Sequence, residues 1–127
     1  MGAWGTGLWE DDFSCDIKDE WEELMDEGIS PRKATRIILK SYQEELSEYE
    51  DEEDRQPDES LLYISLACLQ MRHKALTNSI KKKAIFLIEK GADLELWEDG
   101  DAEDYKERKK VLEEFKRKLV NTKSKLF

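Results

Sequence analysis

The side chains able to do chemistry in this chain are its carboxylates, one histidine and two cysteines. Asp and Glu number 31 among 127 residues, against 21 Lys and Arg, so the formal net charge is −10. Two carboxylate clusters stand out. Asp11, Asp12, Asp16 and Glu20 lie near the amino terminus, and Asp16 and Glu20 share a helix face at i, i+4. Magnesium and calcium want oxygen ligands converging from several segments, which makes these four the candidate metal ligands. Helix capping and a solvated face explain the same residues without a metal, because acids in a first turn meet the helix dipole favourably. The second cluster is Glu44, Glu45, Glu48, Glu50, Asp51, Glu52, Glu53 and Asp54. Such a surface suits a basic protein partner, with charge raising association rate and specificity more than raw affinity.

Other chemistry is thinner. His73 is the only histidine, and Cys68 precedes it by five residues. On one helix that spacing turns through about 500°, roughly 140° past a full turn, so the two side chains diverge. Cys68 sits in an apolar run and reads as a small buried hydrophobe, with His73 at the polar end of the same helix. The Cys and His complement does not make a zinc set. An EF-hand with Gly100 at its sixth position would put Glu95, Trp97 and Lys106 at ligand positions, and the tryptophan and lysine reject it. Gly2, Gly5 and Gly7 precede no Lys-Ser/Thr pair and follow no strand, so they make no phosphate loop. No cofactor is expected, and the balance leans away from an enzyme.

These residues need elements to hold them. Charged residues make up 41%, apolar ones 39%, and the mean hydropathy is −0.81. Such values raise the prospect of disorder. The apolar residues nevertheless fall in periodic runs and include four Trp, four Tyr and four Phe, so a folded domain is expected. The length suits a single domain over 1–127. The longest near-apolar run, 61–69, is interrupted by Ser65 and falls short of the roughly 20 residues a bilayer span takes. The start has neither a basic region nor an apolar stretch, Cys15 and Cys68 read as reduced thiols, and a cytoplasmic setting is expected. Residues 1–60 carry 20 acids and 6 bases (net −14) and residues 61–127 carry 11 and 15 (net +4), which sum to −10. A nucleic-acid binder normally shows a basic footprint. The basic runs 81–83 and 106–110 therefore read as solvated faces or internal partners of residues 44–59.

The periodicity predicts an all-α fold of about five helices. Asp12 or Ser14 caps the first, which buries Ile17, Trp21, Leu24 and Met25 and stops at Gly28. Ser30 and Pro31 start the second, with Ala34, Ile37, Ile38, Tyr42 and Leu46 inward. Acids at its carboxyl end oppose the helix dipole, so a frayed end should pass into a mobile acidic loop over 48–59, closed by Gln56-Pro57-Asp58. Residues 61–69 are apolar around most of a helical circumference, which fits a central buried helix or a buried strand, and the run continues to 76 without a breaker, which favours the helix. Asn78 caps a fourth helix carrying Ile80, Ala84, Leu87 and Ile88 to Gly91; Leu94 and Trp97 fall in the connection. Asp101 caps the last, with Tyr105, Leu112, Phe115 and Leu119 inward. The Gly/Trp-rich start is expected to be non-helical and to pin itself on the core with Trp4 and Trp9.

The opening Gly2-Ala3-Trp4-Gly5-x-Gly7-x-Trp9-x-Asp11-Asp12 resembles that of a family of short bacterial proteins classified as a domain of unknown function. Ser30-Pro31 with Ala34-Thr35, Gly91-Ala92-Asp93-Leu94 with Trp97-Glu98, and Arg108-Lys109-Lys110-Val111-Leu112 are similar to later stretches of it. Trp9 stands where phenylalanine is usual, and Ser14-Cys15 where small residues such as alanine are common. The resemblance implies a bacterial or phage source and supplies no activity. The expected function is a non-enzymatic protein-binding module, an immunity-type or inhibitor protein that occludes a basic partner through its acidic surface. No direct nucleic-acid or membrane contact is expected. A carboxylate metal enzyme, a DNA-mimic inhibitor and a self-associating structural protein are the alternatives.

Overall fold

Caps and breakers set where the chain turns. The computed structural model describes residues 12–92, 94–98 and 100–124, with the backbone alone at 12, 53, 95 and 96. Five α-helices stand among the described residues: α1 (Asp12–Asp26), α2 (Pro31–Leu46), α3 (Glu52–Arg72), α4 (Asn78–Glu89) and α5 (Ala102–Asn121). A short 3₁₀ turn, Leu94–Trp97, precedes α5. Gly28 (φ 83°) and Gly91 (φ 105°) end α1 and α4 in the left-handed region that glycine enters without penalty. The Ser30 hydroxyl accepts from the Lys33 amide at 3.3 Å to start α2, and Asp101 accepts from the Glu103 amide at 2.8 Å to start α5. The Gly/Trp segment expected to dock through Trp4 and Trp9 lies outside the described residues.

Helix α3 is the axis, as its all-round apolar sequence predicts. Leu61, Leu62, Ile64, Leu66, Ala67 and Leu69 are buried, and α1, α2 and α4 all pack on it. Thr35 meets Gln70 and Gln43 meets Tyr63, so α2 runs antiparallel to α3. Lys83 meets Glu59 and Lys90 reaches Glu52, so α4 runs antiparallel to it as well. Lys81 reaches the Thr122 carbonyl and Lys116 meets Glu89, which sets α5 antiparallel to α4. One buried apolar cluster joins all five helices, from Ile17 and Trp21 through Ile38, Leu66 and Ala84 to Leu112 and Leu119.

Five local expectations need correction. Ser14 is no cap: it is the third residue of α1 and is buried. Ile37 is exposed, and Thr35 takes the inward position. Thr35 satisfies its hydroxyl by donating to the Pro31 carbonyl at 2.8 Å and accepting from Gln70 Nε2 at 2.9 Å. Thr77, not Asn78, is the cap residue of α4. Buried Gln70 holds it there, accepting from the Thr77 amide at 3.0 Å. Arg108 is buried, against the solvated-face reading of its basic run.

The fifth correction is the largest. Only residues 47–51 connect α2 to α3, and 52–59 are helical, not loop. Pro57 is the sixth residue of α3, where it forfeits one backbone bond and crowds the preceding turn. Contacts remote in sequence hold the helix through it. Pro57 itself is buried. The Gln56 amide donates to the carbonyls of Lys90 at 3.4 Å and Ala92 at 3.3 Å. Glu59 pairs with Lys83 at 3.3 Å and with Arg55 at 3.4 Å. Acids that would oppose the dipole at the end of α2 now favour it at the start of α3.

Candidate partner-binding site

A surface pocket of about 560 Å³ opens where the α2–α3 connection crosses the start of α1. Phe13 from α1, Leu46 from α2 and Tyr49 from the connection are its apolar lining; Glu45, Glu48 and Asp58 supply carboxylates from α2, the connection and α3. The connection is wound, not frayed. The Ser47 hydroxyl donates to the Glu44 carbonyl at 2.7 Å. The Glu48 and Tyr49 amides donate back to the Glu45 and Leu46 carbonyls, each at 3.2 Å. This winding and the burial of Leu46 fix the positions of Glu45 and Glu48 relative to α3.

Aromatic rings make the walls. Tyr49 is 41% exposed, and its hydroxyl donates to Asp58 Oδ2 at 2.6 Å. That bond and the Asp58 charge push the Tyr49 phenol up from its usual value. Phe13 meets Tyr42 edge-on, with ring centres 5.3 Å apart. Burial, then the charges of Glu20 and Asp16, push the Tyr42 phenol up to about 12, so it stays a neutral donor. Rings beside carboxylates suit a cationic side chain, held by charge-assisted hydrogen bonds and by attraction to the ring faces.

The expected partner-binding residues separate. Glu45 and Glu48 enter the pocket, while Glu44 faces a different groove on α2. Glu50, Asp51 and Asp54 are exposed. Glu52 lies 3.9 Å from Lys90. The Glu53 side chain lies outside what the structure describes. Among the described residues, no cation makes an ion pair with Glu44, Glu45, Glu48, Glu50, Asp51 or Asp54. Phe13 and Tyr49 are not among the residues singled out by sequence, Leu46 reads there only as a core residue of α2, and Asp58 only as part of the loop's end. Their signal was faint: two aromatics and a leucine flanking acids that lie far apart in the chain.

The other candidates stay dispersed. Among the described residues, no group of three or more His, Cys, Asp or Glu is placed to hold a metal ion. Asp11 and the Asp12 side chain lie outside them. Asp16 is exposed, and half-buried Glu20 accepts a hydrogen bond from Tyr42. Cys68 is half-buried, and burial pushes its thiol up, away from the reactive thiolate. The His73 ring lies 5.6 Å from that of Trp21. Two lysines of the run 81–83 are engaged internally: Lys81 donates to the Thr122 carbonyl at 2.7 Å, and Lys83 pairs with Glu59. Among the described residues, no helix is long and apolar enough to cross a membrane. Compared with known proteins, the chain matches no family model, no curated protein and no solved structure.

Proposed function

We propose that this chain is a protein-binding module that seats a basic side chain of its partner in the pocket of Phe13, Leu46, Tyr49, Glu45, Glu48 and Asp58. One observation carries the reading: three carboxylates from separate segments surround aromatic walls on a surface without a described cation paired to Glu45 or Glu48. The net charge of −10 steers a basic partner toward the chain, and the pocket gives the encounter a register. An immunity-type or inhibitor protein that occludes a basic toxin is the role that fits best. A bacterial or phage source, implied by the Gly-Ala-Trp-Gly-x-Gly opening, agrees with it.

The test is affinity capture from host lysate with the wild type and with Glu45→Gln/Glu48→Gln, at low and moderate salt. One basic protein should bind the wild type, weaken as salt rises and be largely lost from the variant. Equal retention of every partner by the two chains would remove the proposal.

A further inference from the structure

The outer face of α2 carries a charge order that its own helix does not explain. Of the six cations in residues 1–60, four lie on α2: Arg32, Lys33, Arg36 and Lys40. Acids follow at Glu44 and Glu45. Cations toward the amino end and acids toward the carboxyl end both oppose the helix dipole. Lys40 preceding Glu44 is also the weaker orientation for an i, i+4 pair. Among the described residues, no ion pair engages Arg36 or Lys40. Steps of four residues drift by only about 40° around a helix, so Arg36, Lys40 and Glu44 form one stripe. With Leu39, Gln43 and Ser47 they line a shallow groove of about 450 Å³. Ile37 stands 37% exposed beside it.

A second copy of the same face, laid antiparallel, would bring opposite charges to Arg36, Lys40 and Glu44. A two-fold contact requires a patch complementary to itself. Rotation about an axis between residues 40 and 44 brings Lys40 of one copy to Glu44 of the other and Arg36 to the Ser47–Glu48 end. It also opposes the two helix dipoles and covers Ile37 and Leu39. We propose that α2 is a self-association surface, through which two copies of the chain pair as an antiparallel two-fold dimer. The groove shares no lining residue with the pocket, but Arg36 of the second copy comes near Glu48, which also lines the pocket, so the variants used to test the pairing leave every pocket residue unchanged.

Sedimentation equilibrium of the full chain over a wide concentration series tests this. Salt of about 0.15 M screens the net-charge repulsion beyond roughly 8 Å and leaves close pairs intact. The wild type should rise from the 15.0 kDa chain mass toward twice that value. Lys40→Glu and Glu44→Lys should each weaken self-association by about tenfold or more, since like charges then face each other. An equimolar mixture of the two variants should regain it, because the acid introduced at position 40 of one chain then faces the base introduced at position 44 of the other. Circular dichroism should show unchanged helix content in both. A wild type that stays at its chain mass, including one whose face is reserved for another protein, overturns the proposal. So do variants that associate like the wild type, or a mixture no tighter than its components.

Discussion

Residues 44–51 and 52–59 are adjacent and similarly acidic, yet the fold surrounds them differently, with Asp58 the residue of the second stretch that reaches the pocket. In the second stretch Glu59 meets Arg55 and Lys83, Glu52 lies near Lys90, Gln56 grips two carbonyls beyond α4, and Pro57 is buried. In the first, Glu45 and Glu48 border a pocket and no described cation pairs with them. Acidity alone therefore does not mark a binding surface. What matters is whether the fold brings its own cations to the acids. Helix α4 passes antiparallel to the start of α3 and delivers Lys83 and Lys90 there. Among the described residues, no comparable ion pair serves the connection from α2.

This contrast can be broken at its base or sharpened at its edges. The largest effect is expected from Leu62→Ala, which empties a fully buried position one turn beyond the packed stretch. It should cost about 2–5 kcal/mol in urea unfolding, by lost transfer and a residual cavity. Gln56→Ala removes two hydrogen bonds to backbone and should cost about 1 kcal/mol. If it costs nothing, remote contacts do not hold the helix through Pro57. Glu59→Gln should lose under about 1 kcal/mol, because both pairs are partly open to solvent, and the loss should shrink with added salt. Glu48→Gln should change stability by no more than about 0.5 kcal/mol, since no described cation depends on it. A clear loss there would mean that the connection is as internally committed as the start of α3.

The pH response sharpens the pocket side. Tyr42 is neutral in the fold up to about 12, against 10.0 when unperturbed. Below pH 10.0 the phenol is neutral folded or unfolded, so stability there is full and independent of its titration, and it changes only above that pH. There the unfolded chain ionises its phenol and the folded one does not, so holding Tyr42 neutral costs stability progressively between pH 10.0 and about 12. Urea unfolding across that range should fall more steeply in the wild type than in Tyr42→Phe. Equal slopes would show that burial and the nearby Glu20, Asp16 and Glu45 do not hold the phenol neutral.

Much of the fold is legible in the sequence because its causes are local. Ile17 and Trp21 bury where helical spacing places them, Gly28 and Gly91 stop helices, and Ser30 and Asp101 start them. The apolar circumference of residues 61–69 marks the central helix correctly. Three of the misses share a cause: each depends on a partner remote in the chain. Thr35 is inward because Gln70 meets it, Thr77 caps α4 because Gln70 holds its amide, and residues 52–59 are helical with help from α4. The acidic run near residue 44 was visible as a candidate, but its division into pocket, groove and internal pairs was not.

By itself, then, the sequence determined the helical class, the main breaks and the acidity of the first half, because hydrophobic period, caps and charge are written residue by residue. The tertiary structure alone decided which acids meet the protein's own cations and which converge on Phe13 and Tyr49. Ion pairing and pocket walls depend on distances between segments tens of residues apart, and packing around α3 sets those distances.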